Sequence, residues 1–188
     1  MAAEKLRLGG LDVVTTREPG GTPLGEALRA AFLETDGPVA PMAELLAFAA
    51  DRAQHVEHLI KPSVAAGKIV ISDRYADATW AYQGAGRGFS EAEVDSVISL
   101  ATGGLKPDLT LFFDIPVKVA LGRMNGRDGA TRNRMDDETA EFYSRVREAY
   151  LEIGRREPQR FRVLDASGTI ESIHSDVLSM IASVIDVQ

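Results

Sequence analysis

Two short, almost continuously apolar segments place the strongest limit on what this chain can fold into. They are KIVIS at 68–72 and DLTLFFDI at 108–115. Strands buried on both faces have this pattern, and such strands belong to parallel sheets with helices on both sides. LDVVTT at 11–16 and FRVLDA at 161–166 add two further strands. We therefore predict an α/β fold built on a parallel sheet.

Helical patterns fill the intervals between these strands. Apolar positions recur every three or four residues from Pro41 to Ala66, which predicts a long amphipathic helix in which Pro62 causes a kink or begins a new turn. Further helical patterns lie at 90–101, 116–125, 136–156 and 170–185. A chain of 188 residues has the length of one domain, so we expect residues 1–188 to form a single domain.

Charge and residue usage exclude several classes of partner. The 28 acidic and 21 basic residues give a net charge of -7, which argues against the broad basic face of a nucleic-acid-binding protein. Local arginines can still hold a small anion. The sequence contains no cysteine, which excludes disulfides and thiolate chemistry. Because no apolar run approaches the roughly 20 residues of a membrane span, we expect a soluble, cytoplasmic protein without membrane contact.

Charged residues follow two of the predicted strands, at the edge where parallel sheets bind ligands. Asp73, Arg74 and Tyr75 come directly after KIVIS, and Arg17 and Glu18 follow LDVVTT. A carboxylate can hold Mg²⁺, and a guanidinium can grip a phosphate with two hydrogen bonds. On position alone, an ordinary ion pair at a strand end is the alternative.

The segment DRYADATWAYQGAGRG, residues 73–88, carries a more specific signal. It resembles the thymidylate kinase signature, an Asp-Arg-Tyr or Asp-Arg-His followed by a small hydroxyl residue and then Ala-Tyr-Gln-Gly. TREPGGTPLGEALR at 16–29, LLAFAADRAQH at 45–55 and PDLTLFFDI at 107–115 fall in the order and spacing of that family. The resemblance covers essentially the whole chain. It implies a three-layer, P-loop NTPase-like fold of the nucleoside monophosphate kinase type.

The resemblance implies that the chain phosphorylates dTMP to dTDP, a step in dTTP biosynthesis, with ATP as co-substrate and Mg²⁺ as cofactor. Arg74 and Arg29 would bind the monophosphate of dTMP, and Arg17 would assist them. Asp73 would organise Mg²⁺ and the acceptor phosphate, so Asp73 and Arg74 are also implied as catalytic residues.

A base site is implied on the long helix and on the helix after KIVIS. Phe48 would stack on the thymine ring, and Arg52, on the same helix face, would hydrogen-bond its edge. A phenylalanine among leucines is more often a core residue, which is the alternative for Phe48. Thr79 and Gln83 would face the base and Tyr82 the sugar; helix capping is the alternative role of these residues.

Residues 126–136 resemble the lid of the family. Their polar sequence has no hydrophobic periodicity and carries Arg127, Arg132 and Arg134. Phosphoryl transfer needs positive charge at the γ-phosphoryl oxygens, and a closing loop can deliver it. Lid arginines do this in bacterial members without an arginine in the P-loop, and Arg134 matches best. A solvated charged loop is the alternative.

The three histidines give no metal site. His55 and His58 lie three residues apart on one helix face, but no third ligand is evident near them, and His174 is remote in sequence. We expect surface histidines on an outer helix.

The sequence shows no match to the phosphate-binding loop that the family resemblance implies. A member should open with a strand that runs into G-x-x-x-x-G-K-[ST], whose N–H groups and lysine cradle the ATP phosphates. The 188 residues contain no such pattern, and AAEKLRLGG at 2–10 resembles the second half of the helix that follows it. We therefore expect the first strand and the P-loop to be absent from this chain, which would leave a gap in the sheet.

Three functions remain open from the sequence. The first is a dTMP kinase, and the second is a catalytically inactive nucleotide-binding homologue that lacks the P-loop. The third, another nucleoside monophosphate or deoxynucleoside kinase, is disfavoured by the Ala-Tyr-Gln-Gly segment and by Phe48 with Arg52. The resemblance also implies a homodimer through the long helices.

Overall fold

The sheet framework of the described residues consists of four parallel strands. The computed structural model describes residues 1–35, 37–125 and 134–185. The strands are β1 (Val13–Arg17), β2 (Ile69–Asp73), β3 (Thr110–Asp114) and β4 (Phe161–Asp165). β1 pairs with β2 and β3 pairs with β4, both in parallel, as two separate two-stranded sheets. The predicted α/β class and the four strands are confirmed.

Helices surround these strands in the predicted alternation. Their bounds are α1 (Ala2–Leu8), α2 (Pro23–Leu33), α3 (Pro41–His55), α4 (Lys61–Ala65), α5 (Ala76–Thr79), α6 (Glu91–Thr102), α7 (Val117–Asn125), α8 (Ala140–Arg156) and α9 (Ile170–Ala182). None of the helices in the described residues has both the length and the apolar character that a bilayer crossing needs.

The long helix is continuous but not uniform. α3 passes into a π-helical turn, Val56–Ile60, and then into α4. Pro62 has no N–H group, and its ring crowds the carbonyl four residues earlier, so the wider turn sits where a regular α-helix would be disrupted. The predicted helix with an irregularity at Pro62 is confirmed.

The strands are less buried than their sequences predict. Side chains of β2 and β3 are mostly half-buried, and Phe113 is 49% exposed. The expectation that both segments are buried on both faces is therefore wrong for the described part of the chain. The reason is that the sheet is divided, so β2 and β3 have a strand neighbour on one side only.

The main core includes a second π-helical segment, Trp80–Gly86, which continues α5. α8 packs against this segment and contributes Phe142 to the core. A Cβ atom on Gly86 would lie 2.6 Å from Cε2 of Phe142, so this close approach requires glycine. The packing also places the Tyr82 ring against Phe142 of this core.

An ion pair connects the two sheets through α5. Arg160, just before β4, donates to both carboxylate oxygens of Asp77 at 2.7 and 2.8 Å. Thr110 of β3 donates to the same carboxylate at 2.8 Å. Because α5 begins directly after β2, this cluster holds the β3–β4 sheet against the segment that carries the strand-end residues.

Candidate active site

The ends of β1 and β2 are tied together by the backbone. The N–H of Glu18 donates to the carbonyl of Asp73 at 2.9 Å, which continues the pairing beyond the strands. Arg74 then adopts a left-handed conformation with φ of 71°. Such a conformation is uncommon outside glycine and concentrates at functional sites. It places the guanidinium of Arg74 4.9 Å from the centre of the Tyr82 ring.

Three arginines converge beside this turn. Gly20 lies between two of them, because a Cβ atom there would meet Cδ of Arg29 at 3.4 Å and Nε of Arg17 at 3.6 Å. Burial and then the charges of Arg17 and Arg74 lower the pKa of Arg29. Among the described residues, no carboxylate forms an ion pair with any of the three. A cluster of mutually repelling cations is suited to a multiply charged anion.

A narrow cleft lies next to the arginine cluster. Its lining comes from α3, from the turn after β2 and from the helix that follows. The lining residues are Glu18, Phe48, Arg52, Arg74, Ala78, Thr79, Tyr82 and Gln83. The structure thus brings six of the predicted site residues together in one cleft and places Arg17 and Arg29 beside it.

Arg52 is fixed by three hydrogen bonds. Its side chain is 2% exposed, and it donates to Glu18 Oε2 at 2.8 Å, to Thr79 Oγ1 at 2.7 Å and to the Tyr75 carbonyl at 3.1 Å. A guanidinium has five N–H groups, so two remain for a ligand in the cleft. Burial raises the pKa of Tyr75 to about 12, and its hydroxyl donates to the Leu105 carbonyl.

The expectation of surface histidines is wrong for His55. Its side chain is fully buried: Nδ1 lies 2.8 Å from Glu18 Oε1, and Nε2 lies 2.7 Å from Thr16 Oγ1. Glu18 therefore joins His55 to Arg52. Sequence reasoning missed Glu18 and His55 as parts of one network, although Arg52 and His55 share a helix face by their spacing of three.

Phe48 is a core residue that also lines the cleft, and its stacking role stays a prediction. Its ring packs edge-to-face against Phe32 with the centres 4.8 Å apart, which joins it to the core. It also lines the cleft opposite Tyr82 and Gln83. The core therefore holds this ring in place at the wall of the cleft.

Asp73 lies exposed at the carboxyl end of β2, next to Arg74. The described residues contain no group of three His, Cys, Asp or Glu that could hold a metal. Mg²⁺ is commonly held by one or two carboxylates together with water and substrate phosphates. A single exposed aspartate beside an anion site fits that mode, and its metal role stays a prediction.

The predicted lid is only partly within the described residues. Arg127 and Arg132 lie outside them. Arg134 begins a 3₁₀ turn, Arg134–Asp137, and donates to Glu44 Oε2 at 2.6 Å and to the Phe32 carbonyl at 3.3 Å. It is not among the lining residues of the cleft. Its catalytic role stays a prediction.

Close packing against Asp51 leaves no room for a side chain at Gly25 of α2, so replacing this glycine should destabilise the protein. An alanine Cβ there would overlap Oδ1 of Asp51, which accepts the N–H of Gly20 beside the arginines. We expect Gly25→Ala to lower the free energy of unfolding by about 1–3 kcal/mol, the usual cost of overpacking. Gly122→Ala, in the open middle of α7, should raise it by up to about 1 kcal/mol. Urea unfolding measures both, and equal effects would contradict the steric explanation.

Comparison with known proteins gives consistent matches. The family model described as thymidylate kinase matches residues 1–177. A thymidylate kinase of Ectopseudomonas mendocina is 44% identical over 185 residues, which are 98% of this chain and 87% of that protein. One from Pelobacter propionicus is 43% identical over 186 residues, 96% of this chain and 85% of that protein. The crystal structure of thymidylate kinase from Ehrlichia chaffeensis superposes with a TM-score of 0.76 at 32% identity, covering 96% and 86% of the two chains.

Proposed function

The chain belongs to the thymidylate kinase family, and on that premise we propose that it transfers the γ-phosphoryl group of ATP to dTMP, giving dTDP and ADP. The function is supported most directly by three arginines, which form no ion pair within the described residues, beside an aromatic and amide-lined cleft. It offers separate places for a phosphate dianion and for a flat, hydrogen-bonding base.

In this proposal the two parts of dTMP occupy the two parts of the site. The monophosphate lies among Arg17, Arg29 and Arg74, whose combined charge offsets a dianion. The thymine ring enters the cleft and stacks on Phe48, while the two remaining N–H groups of Arg52 meet its edge.

The remaining cleft residues complete the acceptor site. Thr79 and Gln83 meet the base, and both are 2% exposed and held by hydrogen bonds to Arg52 and Glu44. Tyr82 lies on the sugar side. Its ring also contacts the guanidinium of Arg74, so sugar and phosphate would be positioned against the same pair of side chains.

Phosphoryl transfer depends mainly on positioning and on stabilising charge. Asp73 and Arg74 lie at the strand end where the acceptor phosphate would be, and Asp73 would hold Mg²⁺ through its carboxylate. The ion would supply positive charge that offsets the charge of the phosphates. In the proposal Arg127, Arg132 and Arg134 of the lid, about residues 126–136, bring further positive charge to the transferred group.

We also propose that the protein is a homodimer. Met42 and Leu46 lie four residues apart on α3, so they share a helix face, and they are 45% and 53% exposed. Such a face suits contact with the same helix of a second copy. The single-domain organisation and the cytoplasmic location stay predictions.

The test of the function is a coupled ADP-release assay with ATP, Mg²⁺ and dTMP. Calorimetry accompanies the assay and measures dTMP binding. We expect both turnover and dTMP binding. If dTMP binds but no ADP is released, the chain is an inactive nucleotide-binding homologue and the proposal is wrong.

A further inference from the structure

Glu44 is a buried acid that the proposed function leaves without a role. It lies in the first turn of α3 and is 0% exposed. Its Oε1 accepts Nε2 of Gln83 at 2.8 Å and Nε of Arg87 at 3.0 Å. Its Oε2 accepts NH2 of Arg87 at 2.9 Å and NH2 of Arg134 at 2.6 Å. Four hydrogen bonds leave this carboxylate in a single orientation.

The charge state of Glu44 is defined by the same contacts. Burial raises the pKa of its carboxyl group, but hydrogen bonds from Arg87, Gln83 and Arg134 outweigh burial and hold that pKa below its usual value. Glu44 is therefore ionised at neutral pH, and an ionised carboxylate can only accept hydrogen bonds.

The contact with Glu44 determines the orientation of the Gln83 amide. Because Glu44 only accepts, Gln83 must turn its NH2 group toward it, and the opposite orientation would set the amide oxygen against a carboxylate. The oxygen of Gln83 accepts no hydrogen bond from the described residues, yet it is not sealed in the interior. Since Gln83 lines the cleft, the oxygen is available there as an acceptor.

A hydrogen-bond acceptor in the cleft restricts which base can bind there. The N3 atom of thymine or uracil carries a hydrogen and donates, whereas N3 of neutral cytosine is an acceptor. A buried acceptor facing a second acceptor leaves both without a hydrogen bond, which is costly. We infer that Glu44 is a positioning residue that selects the thymine class over cytosine by fixing the amide of Gln83.

This inference rests on the proposed function, and its test separates the two. Calorimetry measures the affinities of the chain for dTMP and dCMP, and the ratio of the two dissociation constants is the readout. In Glu44→Gln the new side chain can donate or accept, so Gln83 can take either orientation. We expect the preference for dTMP over dCMP to fall at least about tenfold, with dTMP binding weakened.

Two variants control for simple damage to the fold. Arg87→Met removes two hydrogen bonds from Glu44 but keeps its ion pair with Arg134 and its contact with Gln83, so it should keep the dTMP to dCMP ratio. In Gln83→Leu the preference should already be lost, and adding Glu44→Gln should change the ratio no further.

The outcomes are distinct. Suppose that the parent chain prefers dTMP and that Glu44→Gln weakens the binding of dTMP and dCMP equally. Glu44 is then only structural, and the inference is overturned while the proposed function stands. If the parent chain binds dTMP no better than dCMP, both proposals are overturned. A selective loss in Glu44→Gln that is absent in Arg87→Met supports the inference.

Discussion

Replacing Arg74 by asparagine should weaken dTMP binding at least about 100-fold and leave thymidine binding nearly unchanged. A hydrogen bond to a charged group contributes about 1.5–3 kcal/mol, and a guanidinium can form two with one phosphate. Arg17 and Arg29 remain in the variant, so some attraction for the anion survives. The loss falls mainly on the phosphate, because thymidine would lose only the support that the Arg74 guanidinium gives to the Tyr82 ring.

Asparagine is the suitable replacement because of the backbone. Arg74 has φ of 71°, where asparagine is tolerated better than alanine, so the turn should keep its shape. Arg155→Asn is the matched control, since Arg155 is an exposed arginine on α8 that pairs with Glu148 and Glu152. Calorimetry with dTMP and thymidine measures both variants. Equal weakening of the two ligands would show that Arg74 shapes the cleft and does not bind phosphate.

The strands and the position of the site were predictable because their signals are local. Apolar runs such as KIVIS define strands without reference to the rest of the chain, and the strand-end rule then places Arg17 and Arg74 at one edge. The pairing of β1 with β2 brings Arg17 level with Asp73 in the register. Local pattern and sheet topology together were enough to place Arg17 and Arg74 at the same edge of the sheet, whereas their binding of a phosphate stays a prediction.

The buried polar network was not predictable in the same way. Glu18 contacts Arg52 and His55 across 34 and 37 residues of sequence. No hydrophobic periodicity connects residues that far apart in sequence, and a histidine on a helix with many charged residues is expected to be exposed. Glu44 was missed for the same reason, because its partners Gln83 and Arg134 come from two later helical segments. Exposure of Phe113 was also missed, since a run of apolar residues does not reveal how many strands stand beside it.

Replacing Arg52 by methionine should lower the free energy of unfolding by about 3–5 kcal/mol, the usual effect of breaking a buried ion pair. Glu18 would keep its charge in a site where it is 4% exposed, with His55 as its remaining side-chain partner. Thr79 and the Tyr75 carbonyl would lose their hydrogen bonds from Arg52 as well. The exposed Arg155→Met variant should change stability by no more than about 1 kcal/mol, as surface ion pairs do.

A double variant identifies the source of that loss. In Arg52→Met with Glu18→Met, the Glu18 carboxylate is no longer left without its guanidinium partner, so the double variant should be more stable than Arg52→Met alone, although His55 loses its acceptor. Urea unfolding of the parent, the two single variants and the double variant measures the coupling. If the costs of the two substitutions simply add, Arg52 and Glu18 act independently and the network does not hold the cleft. If the double variant recovers stability but not dTMP affinity, the Arg52–Glu18 pair contributes to dTMP binding beyond its effect on stability.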